Sequence, residues 1–275
     1  ALDIARRRLV FEELFFFAIG LKLLRSRRET VSVEPFQPVD MAPFYNALPF
    51  TLTDAQRRCV EEAIADMQSG KPMNRLCQGD VGSGKTMVAA ACVYFCVKNG
   101  RQAALMAPTE LLAEQHYRGL APLLERLNIR CALLTGSTTV KTKRSVTTQL
   151  ATGEIDFVIG THALISGGVA YADLGLVVTD EQHRFGVAQR TALAEKGEHP
   201  HTLVMSATPI PRTLALILYG DLDVSVIDQL PPGRKPIATY AVTSAYYPRL
   251  YAFIRKQVAA GRQVYIVCPM VYDTD

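Results

Sequence analysis

The octet Gly79-Asp80-Val81-Gly82-Ser83-Gly84-Lys85-Thr86 decides the fold of this chain. It matches every position of the phosphate-binding pattern G-x-x-x-x-G-K-S/T, in which glycines let the backbone turn with positive φ and bring successive N–H groups close to anionic oxygens. The octet lies between a short apolar run, residues 75–78, and a helix-like stretch, residues 87–97. A helix that begins here points its N-terminus at bound phosphates. The sequence therefore predicts a strand, a loop and a helix that bind a nucleotide.

Two side chains of the octet have specific expected roles. Lys85 is expected to neutralise the β- and γ-phosphates, and the Thr86 hydroxyl is expected to coordinate Mg²⁺. The other positions are expected to bind the nucleotide through the loop itself: Gly79, Asp80, Val81, Gly82, Ser83 and Gly84. A glycine-rich turn that binds no ligand is the alternative that the octet leaves open on its own.

The second chemical signal is a pair of adjacent carboxylates, Asp180 and Glu181, after the apolar run at residues 174–179. Side chains alternate along a strand, but at its C-terminal tip both acids can reach the same crevice. Asp180 suits the Mg²⁺ site together with Thr86, and Glu181 suits a general base or a group that positions water at the γ-phosphate. An acidic turn after a core strand is the alternative, and the octet makes it the weaker one.

The composition predicts a globular protein with a large apolar core. Of the 275 residues, 49% are hydrophobic, which suffices for a sizeable buried core. The apolar run at residues 11–24 is too short for a membrane span and contains Lys22, so we expect a helix packed against protein and no membrane partner. The six cysteines lack the spacing of a zinc site or a disulfide framework, which predicts free thiols and a cytoplasmic location.

The charge is unevenly distributed along the chain. The net charge is +4, and residues 1–28 alone hold seven basic and three acidic residues, so the rest of the chain is neutral. This balance permits a nucleic-acid partner without demanding one. The arginines at residues 6–8 fit a solvated helix face better than a DNA-binding patch.

Strand-like and helix-like stretches alternate along most of the chain. A helix at about residues 3–28 leads into a proline-containing linker, and Thr53 caps a helix that extends to about residue 67. Seven apolar runs follow, at residues 75–78, 103–107, 131–134, 157–160, 176–179, 202–206 and 224–227. Strands that are apolar throughout and separated by helices predict an α/β fold, with a mostly parallel sheet covered by helices on both faces.

Three segments are expected from this organisation. Residues 1–49 form the N-terminal helix and linker, and residues 50–230 form the nucleotide-binding domain. Residues 231–275 begin with an exposed, proline-rich linker. Beyond it, residues 237–242, a helix at about 246–260 and a strand at 263–268 are expected to be the truncated start of a second α/β domain.

The tetrad Asp180-Glu181-Gln182-His183 resembles the D-E-x-H signature of superfamily 2 helicases and translocases. Other stretches resemble further motifs of that superfamily. Residues 53–56, with Phe50 upstream, resemble the adenine-reading Q-motif, and residues 107–112 resemble motif Ia. Residues 135–137 and 160–162 resemble two motifs that contact the nucleic-acid strand, and residues 206–213 resemble motif III. The resemblance implies a RecA-like P-loop fold for the nucleotide-binding domain.

Within the superfamily, the chain most resembles the RecG-type branch-migration helicases. The octet, residues 180–186 and the linker at residues 231–236 carry this resemblance, which extends from the first helix to the last residue. The translocase module of the transcription-repair coupling factor Mfd is the nearest alternative and shares residues 210–213. It usually has Glu where this chain has Gln182, and it lacks the Pro-Pro-Gly-Arg-Lys linker, so the RecG type is favoured.

The RecG-type resemblance implies an ATP-dependent DNA motor with ATP and Mg²⁺ as cofactors. Such enzymes couple ATP hydrolysis to translocation on duplex DNA, fork regression and Holliday-junction branch migration in recombination and repair. The implied partners are branched or duplex DNA, bound without sequence preference, and the rest of the same polypeptide, namely a wedge domain and a second RecA-like lobe. The implied location is the bacterial cytoplasm, in association with the nucleoid.

The resemblance also assigns roles to individual residues. Gln56 would read adenine while Phe50 stacks nearby, and His183 would act in catalysis with Lys85, Asp180 and Glu181. Residues expected to couple the γ-phosphate to DNA are Gln182, Ser206, Ala207 and Thr208; those expected to contact DNA are Pro108, Thr109, Glu110, Thr135, Gly136, Thr161 and His162. For the threonines, helix capping and turn formation remain the alternative, and for Phe50 a hydrophobic staple.

Two other function classes remain open at this stage. A P-loop kinase would carry a lid and acceptor-substrate residues, which the sequence does not show, and in a non-enzymatic ATP-binding module the acidic pair would be structural. The chain also reads as part of a longer protein. Because the family places its arginine finger in the second lobe, the chain alone is expected to bind nucleotide weakly and to hydrolyse it poorly.

Overall fold

The computed structural model describes residues 2–29, 31–180, 192–207, 222–229 and 238–267, with side chains in the first helix limited to residues 6–16 and 18–20. The chain divides into two compact units, Ala1–Pro232 and Gly233–Asp275. The first unit holds the nucleotide-binding fold.

A seven-stranded sheet forms the centre of the first unit. Its strands are β1 (Asn74–Gly79), β2 (Gln102–Met106), β3 (Cys131–Leu134), β4 (Phe157–Gly160), β5 (Leu174–Asp180), β6 (His201–Ser206) and β7 (Asp223–Ile227). They lie in the order β3-β4-β2-β5-β6-β1-β7, and every pairing is parallel. This arrangement confirms the predicted α/β fold, and it places the C-terminal ends of all seven strands at one edge.

Helices cover both faces of the sheet because strand side chains alternate between two apolar clusters. In β5, Leu176 and Val178 pack into the larger cluster, whereas Val177 packs into a second cluster. The larger cluster includes residues of α3 (Asp54–Met67), α4 (Lys85–Lys98) and α5 (Glu110–Glu125), and the second includes residues of α6 (Val140–Ala151). Alternate burial on two faces explains why the strands read as continuous apolar runs.

Threonine side chains begin three of these helices. The hydroxyls of Thr53, Thr109 and Thr139 accept hydrogen bonds from backbone N–H groups in the first turns of α3, α5 and α6. At α3 the cap is reciprocal, because the Gln56 side chain accepts the backbone N–H of Thr53. Such a capping box satisfies two N–H donors that helix geometry leaves unpaired.

Residues 31–49, expected as a linker, pack on the first unit. The backbone N–H of Phe36 donates to the Met67 carbonyl oxygen, and Phe36 and Phe44 are buried in the larger cluster. Phe44 lies in a short helix, α2 (Ala42–Ala47), with a proline in its first turn. The proline pattern identified an extended segment, but its aromatic residues make that segment part of the core.

The first helix, α1 (Leu2–Glu29), carries exposed aromatic side chains, among them Phe11 and Phe16. No helix in the described part of the chain is long and apolar enough to cross a membrane. The cysteines in that part are free thiols, at positions 59, 77, 92, 96 and 131. The helix and the free thiols agree with the sequence expectations, but the expected packing of this helix against protein is not seen among its described side chains, because Phe11 and Phe16 are exposed.

The second unit contains one α-helix in its described residues, α7 (Tyr247–Ala259), preceded by a 3₁₀ turn at Ser244–Tyr246. The helix confirms the prediction for residues 246–260. A strand was expected at residues 263–268, with residues 237–242 before the helix, but the described parts of these segments, 238–242 and 263–267, form no ladder. A strand is defined by hydrogen bonds to a neighbour, and apolar residues alone do not supply one.

Candidate nucleotide and DNA site

Several candidate site residues in the described part of the chain lie at the edge where the parallel strands end. The octet follows β1, Asp180 ends β5, and Ser206 ends β6, so these three strands form one half of the edge. The expected DNA-contacting segments follow β2, β3 and β4, which form the other half. β5 lies at the boundary, because it pairs with β6 on one side and β2 on the other.

The octet forms a tight loop whose shape depends on glycine. Gly82 and Gly84 have φ values of 76° and 89°, in the left-handed region that side chains disfavour. A side chain at Gly79 would also be obstructed, because a Cβ there would lie 2.5 Å from Ser83 Oγ. The loop ends at the N-terminus of α4, as the sequence predicted.

Lys85 folds over this loop. Its Nζ donates to the carbonyl oxygens of Gly79 and Asp80, at 2.6 and 2.9 Å. An ammonium group that rests on neutral carbonyl oxygens can exchange them for phosphate oxygens, whose negative charge makes a stronger hydrogen-bond partner. Thr86 follows in the first turn of α4 and is partly exposed. Lys85 and Thr86 therefore lie where the loop meets the N-terminus of α4.

The described residues fit ATP with Mg²⁺ better than a dedicated metal cage. No cluster of three or more His, Cys, Asp or Glu side chains in the described ranges could hold a metal ion by itself. Mg²⁺ usually takes one or two protein ligands and completes its shell with phosphate oxygens and water. The hydroxyl of Thr86 and the carboxylate of Asp180 suit such a sparse ligand set.

Gln56 is held against the loop by both ends of its amide. Its Oε1 accepts the Thr53 N–H at 2.9 Å, and its Nε2 donates to the Ser83 carbonyl oxygen at 2.6 Å. The side chain is only 3% exposed, so in this state the amide is committed to α3 and the loop. Phe50, expected to stack nearby, is half exposed at 50%.

Asp180 has a partner that the sequence did not indicate. The Nε2 of His116, on α5, lies 2.7 Å from Asp180 Oδ2. The two side chains are only 10% and 14% exposed. Sixty-four residues separate them in sequence, and they meet because β2, which precedes α5, pairs with β5. No local motif could have revealed the pair without the strand order.

The coupling and catalytic residues are described only in part. Ser206 is buried at the end of β6, opposite Gln78 of the adjacent β1, and Ala207 follows it. The other expected members of this group, Glu181, Gln182, His183 and Thr208, lie outside the described residues.

On the other half of the edge, Thr109 and Thr135 make local hydrogen bonds. Thr109 caps α5. The Thr135 side chain is buried, and its hydroxyl lies 3.0 Å from the Ser137 hydroxyl. Thr161 is also buried, at 2% exposure. Capping and turn formation, the alternative considered from the sequence, therefore account for Thr109 and Thr135 in this structure.

Exposed groups at the same turns remain available to a ligand. Gly136 and His162 are exposed, and Pro108 is partly exposed. Glu110 has a different role, because its Oε1 accepts the Ser137 N–H at 3.0 Å. A carboxylate repels phosphate, so this hydrogen bond gives a structural reason for an acidic residue at a turn expected to contact DNA: Glu110 ties α5 to the turn after β3.

Comparison with known proteins identifies the family. The sequence profile of DEAD/DEAH box helicases matches residues 53–217, more than half of the chain. The chain belongs to the DEAD/DEAH box helicase family. The match begins at the Thr53 cap of α3, includes the octet and Asp180, and extends past β6. The matched segment thus includes strands from both halves of the sheet edge.

Curated helicases of this family are similar over the whole chain. The chain is 50% identical to the ATP-dependent DNA helicase RecG of Synechocystis sp. and 49% identical to that of Thermotoga maritima, with 100% of this chain aligned in both cases. It covers 33% and 35% of those proteins. The chain therefore spans about a third of the length of these curated relatives.

Solved structures agree with the family assignment. A structure of RecG bound to a three-way DNA junction matches 98% of this chain with a TM-score of 0.87 and 46% identity, and 37% of that chain is covered. The DEAD-box helicase Mss116, solved with single-stranded RNA and UDP-BeF, matches 70% of this chain with a TM-score of 0.53 and 17% identity, and 46% of that chain is covered. The second likeness concerns the fold alone.

Proposed function

We propose that this chain is the first RecA-like motor lobe of an ATP-dependent DNA helicase of the RecG type. The observation that carries the proposal is the placement of the octet and Asp180 at one edge of a parallel sheet, on β1 and β5, which are separated only by β6. Similarity to curated RecG helicases over the full chain supports the RecG type over the coupling-factor alternative.

Within the lobe, the octet would hold ATP and Mg²⁺. Lys85 would move from the loop carbonyls to the β- and γ-phosphates, and Thr86 and Asp180 would hold the metal ion. When bound, Mg²⁺ neutralises phosphate charge. Glu181, directly after Asp180, would orient the attacking water and accept its proton.

The turns after β2, β3 and β4 would bind DNA through backbone N–H groups and short polar side chains. Such contacts go to phosphates and carry no base information, which suits a motor that works on any sequence. They also explain how a lobe with little net charge could bind DNA. Exposed groups at Gly136 and His162 are the strongest candidates, because Thr135 and Thr161 are buried.

The remaining function would come from a longer polypeptide. We propose that residues 1–49, 50–230 and 231–275 are the connecting segment, the first lobe and the start of a second lobe, as the family resemblance implies. The second lobe would supply the arginine that stabilises transition-state charge, and a wedge domain would engage branched DNA. The bacterial cytoplasm, near the nucleoid, is the proposed location.

The test is DNA-stimulated ATP turnover by the full-length polypeptide with Glu181→Gln. This change keeps the side-chain size but removes the base, so we expect turnover to fall at least 100-fold, the lower part of the range for general acid–base catalysis. Glu195→Gln is the matched control, since Glu195 is an exposed glutamate that follows the acidic pair in sequence. It should leave turnover unchanged.

Three outcomes would contradict the proposal. If Glu181→Gln retains DNA-stimulated turnover, the acidic pair is structural and the motor assignment fails. If the wild-type protein hydrolyses ATP without any response to DNA, a different nucleotide enzyme is indicated. If it displaces stalled RNA polymerase but does not unwind three-way junctions, the coupling-factor alternative is correct.

A further inference from the structure

The hydrogen bond between His116 and Asp180 links a residue with no assigned role to the carboxylate proposed to hold Mg²⁺. An ionised carboxylate only accepts hydrogen bonds, so His116 Nε2 is the donor over the 2.7 Å separation from Oδ2. Both side chains are largely shielded from water, at 10% and 14% exposure. A charge-assisted hydrogen bond in such surroundings is stronger than one between neutral groups and fixes the acceptor's orientation.

His116 lies on the inward face of α5. Ala113 and Leu120, three residues before it and four after it, are both fully buried, so the helix presents this face to the sheet. Helix packing therefore limits the freedom of the imidazole. A donor held in this way can select one rotamer of Asp180, and with it the direction in which the second carboxylate oxygen points.

The first turn of α5 is fixed as well. Thr109 caps the helix, and Glu110 accepts the Ser137 N–H from the turn after β3. Seven residues, about two helical turns, separate Thr109 from His116. The donor to Asp180 is thus carried by a helix that is anchored on the neighbouring half of the edge.

We infer that His116 is a positioning residue that orients the Asp180 carboxylate for Mg²⁺. The inference rests on the proposed function, because it presupposes that Asp180 serves the nucleotide-bound metal ion. Residues that hydrogen-bond a metal-binding carboxylate orient it, and their loss typically weakens metal affinity or activity 10- to 100-fold. His116 acts through Asp180, so it is not itself catalytic.

The decisive variants are His116→Leu and His116→Gln in the full-length polypeptide. Leucine removes the donor, and glutamine keeps an N–H group at a similar distance from the backbone. We measure the affinity of a fluorescent, non-hydrolysable ATP analogue across a Mg²⁺ titration and in EDTA. We expect His116→Leu to raise the Mg²⁺ concentration for half-maximal binding at least 10-fold. Affinity in EDTA should be unchanged, because it depends on the loop.

His116→Gln should bring the Mg²⁺ concentration for half-maximal binding most of the way back to the wild-type value. Arg118 is exposed on the same helix, so Arg118→Gln is the control for general effects on α5. Thermal unfolding shows whether each variant folds. Equal Mg²⁺ curves for wild type and His116→Leu would overturn the inference. So would equal losses in EDTA and in Mg²⁺, which indicate a purely structural pair. Failure of the proposed function is distinct, because the wild type would then show no Mg²⁺-dependent binding or no DNA-stimulated turnover.

Discussion

Gly84 shows how single residues define the candidate site. Its φ of 89° lies in the left-handed region, and a Cβ there would be 2.2 Å from Gln56 Nε2. That amide already donates to the Ser83 carbonyl oxygen, so it cannot withdraw without losing a buried hydrogen bond. The loop is thus shaped by two constraints, and only glycine meets both.

Gly84→Ala should therefore reduce ATP affinity at least tenfold, because the loop or the Gln56 amide must shift. Gly100→Ala is the matched control at the other end of α4. Its φ is 78°, but nothing lies within 4 Å of the added Cβ, so it should cost only the left-handed penalty of about 1 kcal/mol in stability. Titration with a fluorescent ATP analogue and thermal unfolding give the two readouts. Equal ATP affinities in the two variants would refute the steric argument.

At the scale of elements, a polar cluster joins α3 to the start of β1 and to β7. Arg75 on β1 donates to Asp66 at 2.7 Å and to Glu62 at 3.1 Å, both on α3, and to Ser225 on β7 at 2.8 Å. The Arg75 side chain is 11% exposed, whereas Glu62 and Asp66 are 38% and 27% exposed. The buried Arg75 guanidinium therefore depends on these two ion pairs more than the carboxylates of Glu62 and Asp66 do.

Arg75→Leu should lower the free energy of unfolding by about 2 kcal/mol. Breaking a fully buried pair costs more, but here the two carboxylates can regain water. Arg58→Leu is the control, because Arg58 and its partner Asp228 are both exposed and such pairs contribute little to stability. Urea denaturation measures both. If the double change Arg75→Leu and Asp66→Asn is no less destabilising than the sum of the single changes, the ion-pair account is wrong.

Elements were more predictable from the sequence than the contacts between them. All seven strands lie where continuous apolar runs predicted them, because burial on both faces demands such runs. Contacts such as His116 with Asp180 depend on the strand order, in which β5 lies beside β2 although two strands intervene in sequence. The same holds for Gln102, whose buried amide hydrogen-bonds to Leu150 and Ile155. No periodicity encodes these partners.

At the scale of the whole molecule, a buried histidine links stability to pH. His201 opens β6, is 2% exposed, and accepts the Met73 N–H at Nδ1 over 2.9 Å. Burial, and secondarily the charge of Arg101, lowers the pKa of His201 from 6.5 to about 4. Protonation at Nδ1 would remove the acceptor. The unfolded chain therefore binds a proton at a higher pH than the folded chain does.

The contribution of His201 to the free energy of unfolding should thus be constant above pH 6.5 and fall by about 3 kcal/mol between pH 6.5 and pH 4.

Asp156 affects stability at lower pH than His201 does. Burial opposes its ionisation, but hydrogen bonds from Arg130 outweigh burial and lower its pKa below 3.8, so its contribution is lost only as the pH falls below that value.

His201→Asn separates the two groups, because the asparagine oxygen can accept the Met73 N–H but does not titrate. The variant should be less stable than the parent at pH 7, since it loses the edge-on ring contact with Phe36, in which the two ring centroids are 4.6 Å apart. The difference should shrink steadily as the pH falls to 4, because only the parent loses stability through His201. Urea denaturation at half-unit pH intervals measures both profiles. Parallel profiles across this range would show that His201 does not control the pH dependence.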